Sequence, residues 1–190
     1  MADQIFLVAP DNADATAFAP RLKAMLAAIP VAVLLLPHGE RADPDYVALV
    51  KSIAPLAQAK GVAVLLDNRP DLVKPLGADG VHITGGIKTV REAIATLKPD
   101  HIVGTGDIGS LHEAMLRGEL DIDYLFFGDR EQSDAEMADW WAETFEVPSV
   151  YLAAGIEDPA LATIGTEFIA FDGAVWDAPE SLARLTGASS

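Results

Sequence analysis

Val62-Ala-Val-Leu-Leu-Asp67-Asn68-Arg69-Pro70-Asp71-Leu72, followed closely by Gly77-Ala-Asp-Gly80-Val-His82-Ile83, is the stretch that decides the fold. Val62–Leu66 and Gly80–Ile83 are short apolar runs of strand length, rich in branched side chains and closed by polar or turn-forming residues. The space between them holds only Asp71–Leu76, enough for one or two helical turns. Strand, short helix and strand in that order make a parallel crossover unit. The runs are continuously apolar rather than alternating, so both faces of the sheet must be covered, as in a parallel sheet.

The same period extends along the rest of the chain. Further strand-like runs are Ile5–Val8, Val31–Leu36, His101–Val103, Tyr124–Phe127, Ser149–Leu152 and Phe168–Phe171. Helical spacing lies between them. Tyr46–Lys60 puts Tyr46, Val50, Ile53, Leu56 and Ala57 on one side, and Thr89–Leu97, Leu111–Arg117 and Ala135–Phe145 read alike. Ser110 and Asp134 suit N-caps, Gly61 and Gly118 suit helix stops, and Asp158-Pro159 opens a short helix. Eight strands alternating with helices make either a closed (β/α)8 barrel or an open doubly wound sheet. The count of eight favours the barrel. Pro10-Asp11-Asn12 after the first strand, where a dinucleotide-binding fold has its glycine fingerprint, weakens the open sheet. At 190 residues the chain is slightly under the ~200 usual for a barrel, so the Val62–Gly80 unit must be very short. No linker or low-complexity tract divides it. Residues 1–186 are expected to form one barrel domain, with 187–190 as a frayed tail.

Composition narrows the partners. Asp and Glu number 29 against 13 Lys and Arg, for a net charge of −16. Such a surface repels nucleic-acid phosphates and anionic lipid, so neither is an expected partner; alternatively, the acidity only keeps the protein in solution. Without cysteine there is no disulfide, thiolate ligand or thiol nucleophile, which fits the cytoplasm. No run approaches the ~20 residues that span a bilayer, and the N-terminus lacks the basic segment of a signal sequence.

In a barrel the chemistry belongs at the C-terminal ends of the strands. Asp67, His82, Thr105, Gly128, Gly155 and Gly173 are expected to converge there. Glycines at these ends let backbone approach a ligand and can cradle a phosphate, although strand-to-helix turns call for glycine in any case. Asp67-Asn68-Arg69 is the most informative group, because charged and amide side chains after a buried strand are costly to desolvate without partners. Arg69 could pair with a ligand phosphate or carboxylate and Asp67 could hold magnesium. An internal Asp–Arg pair closing the mouth is the other reading. His82 is either a satisfied core histidine or a general base. Asp107, Asp129 and Asp172 are further acids for the same mouth.

The two central segments resemble the thiamin phosphate synthase family, in which Asn-Asp-Arg and then Gly-Ala-Asp-Gly-Val-His stand in these places. Ile102-Val103-Gly104, Asp123-Tyr124 before Gly128, Ala154-Gly155-Ile156 and Gly165 follow in family order. The resemblance implies a (β/α)8 barrel that couples a hydroxymethylpyrimidine pyrophosphate to a thiazole phosphate, with magnesium holding the pyrophosphate. It makes a phosphorylated heterocycle the expected small-molecule partner and leaves a homodimer open.

The departures from the family pattern fall on the chemistry. Pro37-His38-Gly39-Glu40 replaces a cationic motif after the second strand, and Asn68 replaces a metal-binding acid. Ile87 stands at the second metal acid, so magnesium is expected to bind weakly. Asp129-Arg130-Glu131-Gln132-Ser133 replaces a Thr/Lys loop, and Gly173, beside Asp172, replaces the serine of the last phosphate loop. Two expectations follow: a divergent transferase using Arg69, Lys88 or Arg130 as replacement cations, or a non-catalytic binding or accessory protein.

Overall fold

Eight strands, each apolar because it is covered on both sides, are arranged in parallel and in chain order. The computed structural model describes residues 4–129 and 134–187; Arg130 and the tail residues 188–190 lie outside them. The strands are β1 (Gln4–Val8), β2 (Val33–Leu36), β3 (Ala63–Asp67), β4 (Gly80–Ile83), β5 (Ile102–Thr105), β6 (Tyr124–Phe127), β7 (Ser149–Leu152) and β8 (Phe168–Phe171). Each pairs with the next, and β8 returns to β1 through Gln4↔Phe168 to Leu7↔Phe171, so the sheet is a closed barrel. The chain is a (β/α)8 barrel.

Alternation along each strand sorts side chains into two shells. Leu34, Leu66, Val81, Ile83, Val103 and Phe127 face outward under the helices. Phe6, Leu35, Leu65, Tyr124, Phe126 and Val150 face inward and fill the lumen. Large residues of one strand need small ones on the next, since the lumen must pack without voids or overlap. A Cβ on Gly80 would run into Ile102, and one on Gly104 would run into the Tyr124 ring.

The helices are α1 (Ala15–Ala28), α2 (Asp43–Gln58), α3 (Pro70–Leu76), α4 (Ile87–Leu97), α5 (Leu111–Gly118), α6 (Ala135–Thr144) and α7 (Pro179–Leu185), the last following β8. β7 and β8 are joined only by a 3-10 turn, Pro159–Ala162, capped by Asp158. Eight units therefore fit into 190 residues through two economies, the seven-residue α3 and this missing helix. Ser110 caps α5 by accepting the Glu113 N–H at 3.2 Å. Asp134 holds the N-cap position of α6 without a capping hydrogen bond. Gly118 is inside α5, not beyond it; a side chain there would collide with Trp141 of α6.

A repeated clamp closes the N-terminal end. Asp79, Asp123 and Glu167 precede β4, β6 and β8. Each accepts a backbone N–H of the preceding strand: Val64 at 2.8 Å, Val103 at 2.7 Å and Ser149 at 2.8 Å. Gln58, Lys98 and the Ser149 hydroxyl give these carboxylates second donors. No described helix is long and apolar enough to cross a membrane.

Candidate functional site

The inward period of the strands runs on past their C-terminal ends, and this brings the site residues together. Leu35 leads to Pro37, Leu65 to Asp67, His82 to Thr84, Phe126 to Gly128 and Ala170 to Asp172. These residues, apart from Leu65 and Ala170, line a cavity of about 330 Å³. Its floor is apolar, from Val8, Leu35, Phe126 and Leu152. Around it stand five aspartates: Asp11, Asp67, Asp107, Asp129 and Asp172. Among the described residues no lysine or arginine lines it.

His82 is the polar element of the floor. It is 4% exposed, and its Nδ1 lies 2.8 Å from the Tyr124 hydroxyl. That contact crosses β5, where Gly104 leaves room for the Tyr124 ring. Burial, with the charge of Arg117 adding to it, lowers the imidazole pKa to about 4, so His82 is neutral near pH 7. Burial also holds the Tyr124 phenol well above its ordinary pKa, and hence protonated.

Asp67, Asn68 and Arg69 diverge. Asp67 reaches the cavity, with Oδ2 accepting the His38 N–H at 3.1 Å and Oδ1 the Asn68 amide at 2.9 Å. Burial raises its pKa, and the Asp11 charge adds to this against the His38 hydrogen bond. Asn68, at a positive φ of 52° that asparagine tolerates better than most residues, ties β3 to β4. Its amide donates to Thr84 Oγ1 at 2.7 Å, and its Oδ1 accepts the Thr84 N–H at 2.9 Å. Arg69 is held between Asp43 and Asp71, at 2.5 and 2.8 Å, and does not line the cavity.

Thr105 is buried and turned outward, donating to the Ile83 carbonyl at 2.8 Å and accepting from Arg117. Arg117 is 2% exposed, pairs with Glu113 and donates to the Gly106 carbonyl at 3.1 Å. Glu113 also accepts the Gly109 N–H at 3.0 Å. This group fixes the β5–α5 loop that carries Asp107 into the cavity. Gly155 and Gly173 lie in the loops after β7 and β8 at positive φ, at the same end of the barrel but outside the lining. Lys88 is on the α4 surface, 91% exposed.

Asp67, His82 and Gly128 thus meet in the cavity with Asp107, Asp129 and Asp172, while Asn68, Arg69 and Thr105 brace its surroundings. Sequence reasoning passed over Asp11, Tyr124 and Arg117. Only Arg117 left a local sign, an acid four residues before it. The magnesium position does not fit the ion well. Both Asp67 oxygens already accept hydrogen bonds, Asn68 is engaged with Thr84, and Ile87 offers no ligand atom. Among the described residues no three acidic, histidine or cysteine side chains are placed to hold a metal.

Fold and cavity together define a (β/α)8 barrel protein with a cavity at the C-terminal ends of its strands. The family described as thiamine monophosphate synthase matches residues 5–170. A thiamine-phosphate synthase of Rhodospirillum centenum is 36% identical over 187 residues, 93% of this chain and 90% of that one. The corresponding protein of Hyphomonas neptunium is 32% identical, covering 97% and 92%. The thiamine phosphate pyrophosphorylase structure from Pyrococcus furiosus shares the fold, with a TM-score of 0.81 at 18% identity over 98% of this chain and 96% of that one. The chain belongs to the thiamine monophosphate synthase family.

Proposed function

We propose that the chain is a divergent member of this family that keeps a ligand cavity but does not join a pyrimidine pyrophosphate to a thiazole phosphate at a useful rate. The named relatives place its ancestry among transferases of thiamin biosynthesis. The observation that carries the reading is the cavity wall, with five aspartates and, among the described residues, no lysine or arginine. A departing pyrophosphate gathers negative charge, and loss of one group that neutralises such charge costs about 10²–10³ in rate. The carboxylates around the cavity add repulsion to that loss.

A binding or accessory role is the second reading, favoured by Arg69. A guanidinium already forked onto Asp71 and paired with Asp43 would have to give up both to grip a phosphate. Magnesium enters this reading as a weak ligand at most. Calorimetry with magnesium and a pyrophosphate-bearing pyrimidine tests it. No micromolar affinity is expected for either. Micromolar magnesium binding that disappears in Asp67→Ala would contradict the proposal, because it would reveal a rebuilt metal site.

A further inference from the structure

We propose that the outward face of α5 docks onto the same face of a second copy of this chain, with the two helices antiparallel about a two-fold axis. The pairing goes beyond the functional reading and does not depend on what fills the mouth.

The first observation is an inverted helix. A helix on the outside of a barrel ordinarily turns its apolar side to the sheet and its polar side to water. With its largest side chains α5 does the reverse. Arg117 is buried beneath it, held by Glu113, Thr105 and the Gly106 carbonyl. Leu111, Met115 and Leu116 face water, 38–43% exposed. Four large apolar side chains are exposed among the described residues, and this eight-residue helix carries three of them. Turning the helix about its axis would not relieve this, since Arg117 is tied to β5 and Gly118 must face the Trp141 ring. Single exposed leucines are ordinary, whereas a contiguous group marks a contact surface.

The second observation says what covers that face. The exposed residues of α5 and its C-cap are Leu111, His112, Met115, Leu116 and Glu119. His112 and Glu119 are two turns apart on one side of the helix, with Leu116 between them. Antiparallel pairing centred between Met115 and Leu116 sets His112 against Glu119 of the second copy, and Glu119 against its His112. Met115 then packs on Leu116 across the axis. The patch is thus complementary to itself, as a two-fold interface requires. Among the described residues neither the His112 nor the Glu119 side chain is paired within its own chain, so both can make the contact.

Charge favours the same partner. At −16 two copies repel one another, and they can meet only where acids are sparse. The α5 face has one acid among five exposed residues, and a histidine answers it across the axis. The neighbouring α6 exposes Glu136 and Glu143 instead. One helix pair with its margins buries less than a standard interface, so the dimer is weak, micromolar or looser.

Sedimentation equilibrium on the whole protein, from about 5 μM to about 1 mM, should show a monomer passing to a dimer. Leu116→Asp should weaken association about tenfold or more, with thermal unfolding confirming the fold. His112→Glu should also weaken it, because each new carboxylate would face Glu119 of the other copy. Adding Glu119→Lys to His112→Glu restores opposite charges at both places and should return association to within about threefold of the parent. A monomer throughout the range would give the face to another partner and overturn the proposal. A dimer indifferent to Leu116→Asp, or a double variant as weak as His112→Glu alone, would overturn it as well.

Discussion

At the N-terminal end of the barrel Asp79, Asp123 and Glu167 each hold a strand N–H, and each has a second donor. At the opposite end Asp11, Asp67, Asp107, Asp129 and Asp172 surround a cavity. The first set closes β3 to β4, β5 to β6 and β7 to β8, and its carboxylates are hydrogen-bonded where they stand, Asp123 to a lysine as well. In the second set the acids face one another, and Asp67 shows the cost through a pKa raised by burial and by Asp11. In this fold the bottom face serves stability and the top face serves ligands. Here aspartate stands at both ends, holding strand N–H groups at one and lining the cavity at the other.

The largest expected effect comes from the structural acid that lies at the mouth end, Glu113 with its buried partner Arg117. Arg117→Ala would strand Glu113, Thr105 and the Gly106 carbonyl, and should lower stability by about 3–5 kcal/mol in chemical denaturation. A loss under about 1 kcal/mol would mean that the pair behaves like a surface one.

Next is the pH dependence of His82. Its folded pKa, about 4, is below the ordinary value of 6.5, so the unfolded chain takes up the proton first. Stability from this group is complete above pH 6.5 and is lost as pH falls toward 4, by roughly 3 kcal/mol in all. Denaturant midpoints across that window should fall in the parent and lose this slope in His82→Gln. An unchanged slope would place the titration elsewhere. Asp67 runs the other way: with its folded pKa raised, the stability it contributes is present at low pH and lost as pH rises through that value.

The two sets of acids can be compared directly. Asp123→Ala leaves the Val103 N–H without its carboxylate and Lys98 with only the longer contact to Asp121, and should cost about 1–3 kcal/mol. Asp107→Asn, at a positive φ of 58° that both residues tolerate, should change stability by no more than about 0.5 kcal/mol. Equal losses in the two variants would erase the distinction between the ends.

Much of the barrel was legible because its strands are buried on both faces, so apolar run and strand coincide. Gly80–Ile83, Tyr124–Phe127, Ser149–Leu152 and Phe168–Phe171 begin and end where the sequence places them. α1 left a weaker trace, being alanine-rich and interrupted by Pro20. The missing helix between β7 and β8 was also hidden, since Asp158-Pro159 opens a 3-10 turn and an α-helix with the same signal. The acids of the mouth and His82 could be read as polar residues on or just after apolar runs. What Arg69 and Thr105 do could not, since Asp43 reaches Arg69 from α2 and Arg117 reaches Thr105 from α5, 26 and 12 residues away in the chain, and such contacts leave no local pattern.

Turnover beside a true synthase tests the central claim most directly. Purified protein and the Rhodospirillum centenum relative are given hydroxymethylpyrimidine pyrophosphate, thiazole phosphate and magnesium, and thiamin phosphate is measured over time. A mouth walled by aspartate predicts a rate several orders of magnitude below that of the relative. A rate within about tenfold of it, a barrier difference of no more than about 1.4 kcal/mol, would contradict the account.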